Sequence, residues 1–175
     1  MPVTVNIYEE SAVRYLGTYG AVHQSISTAW SVKQATMRLI LCSTDVAQFN
    51  SSFAGTVEQL LSSGVQEIPT GYGYFQQGFA LKQFQAASFF LVFGNGYKFN
   101  PVNEGGISGW AAIGGSISAK SALLFMELPN SSASTLYGRS YPLAMIDFDG
   151  TRTATAGNNL IIEAPTNGGL FNWTR

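Results

Sequence analysis

The sequence predicts an all-β fold, an antiparallel β-sandwich or jelly roll with one short helix and an extended N-terminal arm. Three observations carry this expectation. Short apolar runs recur through the second half, separated by Gly- and Asn-rich breaks such as "GNG", "NEGG" and "PNSSAS". A single segment, "TVEQLLSSG", places its apolar residues at helical spacing. No internal repeat of fixed period is visible, which excludes propellers and solenoids.

We divide the 175 residues into an arm over residues 1–33 and a β-sandwich domain over 34–175. The arm, "VTVNIYEESAVRYLGTYGAVHQSISTAW", shows no sustained period beyond a short strand at Val3–Ile7. Segments of this kind often lie on a neighbouring subunit, although a plain first strand of the same domain fits the pattern equally. From Ala35 the signal sharpens. "ATMRLILC" sets Met37, Leu39 and Leu41 against Arg38, Ile40 and Cys42, a strand buried on both faces. The polar loop "STDVAQFNSSFAG" leads into a helical stretch with Val57, Leu60 and Leu61 on one side and Gly64 as its stop. Pro69-Thr70-Gly71 is turn chemistry, and Gly71 and Gly73 tolerate positive φ as the chain enters a strand at Phe79–Leu81. Further strands are expected at Phe89–Phe93, Tyr97–Val102, Ser116–Leu128, Leu143–Phe148 and Asn159–Glu163, with "FDGTRTATAGNN" as a turn.

Composition bounds the function. Apolar residues make up 46%, but charged residues only 11%, against a usual ~25%. So little charge leaves Ser, Thr, Asn, Gln and Gly to fill the surface and suits a chain whose faces are covered by partners. A secreted β-protein with a Ser/Thr/Asn surface gives the same composition. Net charge is −1 and the nine basic residues are scattered, so no nucleic-acid footprint is expected. The N-terminus lacks a basic, then apolar, leader, and the longest apolar run, "AASFFLVF", is far short of a membrane helix. We therefore expect a soluble protein made without export and without a membrane partner.

Candidate chemistry is sparse. His23 is the sole histidine and lies in the arm, a poor platform for a preorganised site. Cys42 is alone, which rules out an internal disulfide and reads as a small buried hydrophobe. His/Cys metal sites lack ligands, and no cofactor is expected. "DFDG" carries Asp147 and Asp149 at i and i+2, but the following Thr-Arg-Thr-Ala-Thr-Ala-Gly breaks the calcium-loop pattern and favours a hairpin. "GYG" lacks the third Gly and helix of a dinucleotide loop. The remaining candidates are aromatic. Tyr72, Tyr74, Phe75, Tyr97 and Trp110 form either a flat interaction platform or filling for the core and subunit seams.

The order of elements resembles a family of small structural proteins of tailed bacteriophages. The family's early strand, polar loop and short helix are matched by "ATMRLILCST" and "GTVEQLLSSG". Its "GTGY-x-x-GG" passage is matched by "PTGYGYFQQGF", with Gly71-Tyr72 in place and only Gly78 where a Gly pair stands. Its strand with a Trp turn corresponds to "YKFNPVNEGGISGW", and its "I-x-A-x-x-A" strand to "SISAKSALLFME". Its closing strand and turn correspond to "PLAMIDFDG" and "PTNGGLFNW". The arm and the aromatic content around Tyr72 depart from the family's pattern.

This resemblance implies a non-catalytic virion component. The expectation is a capsid cement or decoration protein that stabilises the phage head by bridging major capsid protein subunits. Such a protein is assembled in the bacterial cytoplasm, and lattice geometry suggests a homotrimer. A neck or tail structural protein of the phage, or a carbohydrate-binding β-sandwich module, are the alternative expectations.

Overall fold

The structure is a computed structural model that describes residues 4–8, 36–45, 50–80, 90–93, 96–99, 107–128, 132–163 and 171–174. Over these residues the chain is mostly β and every strand pairing is antiparallel, as the sequence predicts. Among the described residues ten strands form three sheets. They are β1 (Thr4–Ile7), β2 (Thr36–Cys42), β3 (Phe79–Ala80), β4 (Phe90–Phe93), β5 (Gly96–Phe99), β6 (Ile107–Ala111), β7 (Ile117–Glu127), β8 (Ser140–Ala154), β9 (Asn159–Glu163) and β10 (Phe171–Thr174). The main sheet has the order β1-β8-β7-β2-β3, β10-β5-β4 form a second, and β6-β9 pair as a two-stranded ribbon.

The main sheet is buried on both faces, and the alternation in β2 shows how. Met37, Leu39 and Leu41 join Ala122, Leu124 and Met126 of β7 and Ala144 and Ile146 of β8 in one core cluster. Trp110, Leu160 and Ile162 of the ribbon cover that face. Ile40 and Cys42 point the other way, with Leu123, Phe125 and Met145. There they meet α1 (Val57–Ser62), which brings Val57 and Leu60 onto the second face. A short helix needs help at its end. Thr56 Oγ1 accepts from Gln59 N at 3.3 Å while Gln59 Oε1 accepts from Thr56 N at 2.9 Å, a reciprocal cap.

Of the two readings of the N-terminal segment, the described residues follow the plain first strand: the strand expected at Val3–Ile7 is present and belongs to the sheet of its own chain. Thr4–Ile7 pair with Ala144–Asp147, Tyr8 N donates to the Leu143 carbonyl at 3.0 Å, and the Tyr8 ring is fully buried. The apolar Val5 and Ile7 pack on the first face, which is what draws the strand in. The rest of the arm, with His23, lies outside the described residues. One expectation changes, at "FDGTRTATAGNN". Its first half continues β8 to Ala154, because Asp149 (φ 53°) and Gly150 (φ 108°) form a bulge after which Arg152–Ala154 pair again with Ile117–Ala119. Thr151 and Thr153, β-branched, suit the resumed strand. Sequence reasoning also missed β6 and β10, whose short runs are broken by Gly or Asn.

At one end of the second face an ion cluster closes the sheet. Glu127 Oε2 accepts from Arg38 Nε at 2.8 Å, and its Oε1 accepts from Arg139 Nε and Nη2 at 3.0 and 2.8 Å. Burial alone would raise the Glu127 carboxyl, but the hydrogen bonds and charges of both arginines outweigh it and hold it below the usual carboxylate range. A depressed folded value contributes stability above the unfolded pKa and loses it as pH falls through the folded one. Stability of the wild type is therefore expected to drop as pH falls below about 4, while Glu127→Gln shows a shallower drop from a lower starting point. Urea midpoints of both proteins across that acid range check this.

Candidate functional site

The segment from Glu67 to Gly78 is held by a dense set of hydrogen bonds. Gly71 and Tyr74 exchange both backbone hydrogen bonds, each at 2.9 Å, around the two-residue turn Tyr72-Gly73. Both turn residues have positive φ (52° and 92°), the pattern of a type I′ hairpin. Asn or Gly ordinarily fills the first position, so a bulky tyrosine there is strained. Gly73 is required for space as well, since a Cβ there would lie 2.1 Å from the Ala111 carbonyl oxygen.

The loop is fastened at both ends. On the ribbon side, Ile113 N donates to the Tyr72 carbonyl at 2.9 Å. On the main-sheet side, the Glu67 carboxylate gathers three donors. It accepts from Tyr74 Oη at 2.6 Å, from Gln77 N at 2.8 Å and from Tyr137 Oη. Tyr74 Oη in turn accepts from Leu41 N at 3.1 Å, on the β2 edge where Ile68 N also donates to the Leu41 carbonyl at 3.0 Å. Gln77 N also reaches Tyr137 Oη at 2.9 Å. Burial, reinforced by the bond to Glu67, pushes both phenols well above their ordinary value, so they stay protonated and donate. A carboxylate so fully engaged is a structural clamp and a poor general base.

The five aromatic candidates separate. Tyr74 and Trp110 are buried, with ring centroids 5.9 Å apart, and fill the core under the ribbon. The alternation of β6 turns Trp110 inward, and the hydroxyl clamp turns Tyr74 inward, so neither belongs to a surface platform. Tyr72 and Phe75 are 58% and 70% exposed. Tyr97 lies in β5, and its side chain is outside the described residues.

Sequence reasoning missed two partners. Ile113 is 68% exposed beside Tyr72, and Ile161 on β9 is 43% exposed, opposite Gly109. Strand parity would have found Ile113, because Trp110 and Ala112 face the core and the residues between and after them must face out. The outer face of the ribbon therefore presents Gly109, Ala111, Asn159 and Ile161, with Glu163 at the matching register position opposite Ile107, and Ile113 and the Tyr72 ring continue it beyond Ala111. That ring lies so close over Gly115 that a Cβ there would sit 2.1 Å from Tyr72 Cδ1. Residues 68–81 and 105–119 contain no charge at all. The Tyr72–Ile113 end of this face is apolar and uncharged, on a pinned backbone. No protein-family model, curated protein or solved structure matches this chain.

Reactive groups elsewhere are otherwise engaged. The Cys42 thiol is buried, and burial, with the nearby Glu67 charge adding, drives it far above its ordinary pKa. Asp147 Oδ1 accepts from Asp149 N at 2.9 Å, a local turn bond that accounts for the bulge. Among the described residues no group of three or more His, Cys, Asp or Glu is placed to hold a metal ion. Among them, too, no helix is long and apolar enough to cross a membrane.

Proposed function

We propose that this chain is a capsid cement or decoration protein of a tailed bacteriophage, binding the major capsid protein as a homotrimer on the phage head. The observation that supports it best is the exposure of three large apolar side chains, Tyr72, Ile113 and Ile161, on the ribbon and its adjoining turn. Isolated soluble proteins rarely keep large contiguous apolar patches exposed, whereas a lattice protein covers them on assembly. Two further features agree with this reading: the order of motifs that resembles phage structural proteins, and the 11% charge content. On this reading the chain has no catalytic residue and its work is mechanical. Capsomer seams bridged by linked weak contacts resist opening, because several interfaces must break together. A surface with little charge buries few unpaired ions at those seams.

Fastening the turn at both ends strengthens this role, since a surface held in place loses little conformational freedom on docking. The expected result is that Tyr72→Ser combined with Ile113→Ser lowers retention on purified capsids at least ~10-fold, the loss of about two apolar anchors. Both side chains are exposed, so the variant's thermal midpoint should stay within a few degrees of wild type. Co-sedimentation with capsids and a thermal melt decide it, and full retention at unchanged stability would contradict the assignment of this face.

A neck or tail position for the same surface differs in copy number alone. A carbohydrate-binding role keeps only Tyr72 and Phe75 of the candidate rings whose side chains are described, because Tyr74 and Trp110 are inside.

A further inference from the structure

We propose that β1 is an exchangeable strand, and that Thr4–Tyr8 of one copy occupy the β8 edge of a second copy of this chain in the assembled state. The proposal deepens the reading above, since it rests on the chain assembling with itself. Three observations carry it. The first is the position of β1 in the sheet. Among the described residues it is an edge strand with one ladder, to Ala144–Asp147 of β8, so its removal leaves the β8–β7–β2 pairings intact. The second is the anchor at its end. Tyr8 is fully buried, its Oη donates to Met145 Sδ at 3.6 Å, and its ring meets Phe53 edge-on with centroids 6.3 Å apart. Val5 and Ile7 pack against the opposite core cluster, so this short strand has apolar anchors on both faces of the sheet.

The third observation is the tether. Residues 9–35 separate Tyr8 from the start of β2, and at ~3.3 Å per residue that chain reaches up to about 90 Å. A tight hairpin would lock a strand to its own sheet, and a connection of this length in sequence sets no such limit by its length alone. Every contact of β1 is reproduced when it comes from an identical neighbour. The choice between the two arrangements is then set by tether length and local concentration rather than by contact energy. A vacated β8 edge exposes unpaired backbone and an empty Tyr8 pocket, so a neighbour's strand is its natural occupant. Crowding many copies on a lattice shifts the balance toward exchange and links adjacent copies without a new interface.

Thr4 and Asp147 face each other in the β1–β8 register, so Thr4→Cys with Asp147→Cys reports which chain supplies the strand. Native Cys42 is buried and does not compete. Isotopically heavy and light forms of this double variant are mixed, unfolded together, refolded over a range of concentrations and oxidised. Masses of the peptides joined by the 4–147 disulfide are then read. Exchange predicts heavy–light links that increase with protein concentration toward about half of all links. Links that stay within one label at every concentration would overturn it. Should this variant fail to fold, Asn6→Cys with Met145→Cys tests the neighbouring register pair by the same readout. Same-label links leave the virion reading standing. Heavy–light links from a protein absent from virions would leave exchange standing and remove that reading.

Discussion

Tyr74→Ala is expected to remove about 4 kcal/mol of stability, a large share of what a domain of this size possesses. The ring is buried against Trp110, so truncation opens a cavity in the core beneath the ribbon. The hydroxyl contributes separately. It donates to Glu67 and accepts from Leu41 N, which alanine would leave buried without its partner. Tyr74→Phe keeps the ring and deletes only the hydroxyl, and is expected to cost about 1–3 kcal/mol. Urea unfolding of the two variants thus splits the residue into packing and clamp. Equal losses would mean that the cavity is unimportant and the clamp is everything.

Gly78→Ala is the second large effect, expected at about 3 kcal/mol or more from clash plus backbone strain. Gly78 has φ +59°, and a Cβ there would lie 2.0 Å from the Leu39 carbonyl oxygen. That atom belongs to β2 and cannot move aside as a side-chain tip would. Gly157 provides the control. Its φ is +85°, but nothing lies within 4 Å of the added Cβ, so Gly157→Ala should cost only the conformational term of ~1–2 kcal/mol. Comparing the two thermal midpoints separates space from backbone conformation. Similar losses at both positions would contradict the close approach of the 67–78 loop to β2.

Much of the framework was legible because it rests on local pattern. The two-sided burial of β2 follows from its nearly continuous apolar run, and α1 from helical spacing and a Gly stop. β7 was found nearly residue for residue, since Ile117–Glu127 is long and β-prone. Failures came where geometry overrides pattern. "DFDG" has the composition of a hairpin turn, yet Asp149 and Gly150 use their positive φ to bulge a strand that then resumes. The pairing of Thr4–Ile7 with Ala144–Asp147 joins opposite ends of the sequence, and no local signal announces it.

The surface was half legible. Aromatic density around Tyr72 was plain, but which rings face out depends on distant partners. Tyr74 is drawn inward by Glu67 and Leu41, and Glu67 is shared with Tyr137, seventy positions away along the chain. Ile113 was overlooked because a lone isoleucine between alanine and glycine carries no functional signature. Its meaning comes from strand parity and from the bond that ties it to Tyr72.

The central claim is that this chain works as a lattice component of a phage head. Its copy number in purified virions, measured by quantitative mass spectrometry against the major capsid protein, tests that most directly. The account predicts a near-equal ratio, with the chain spread over the capsid lattice. A few to a few dozen copies per virion, or none, would contradict it.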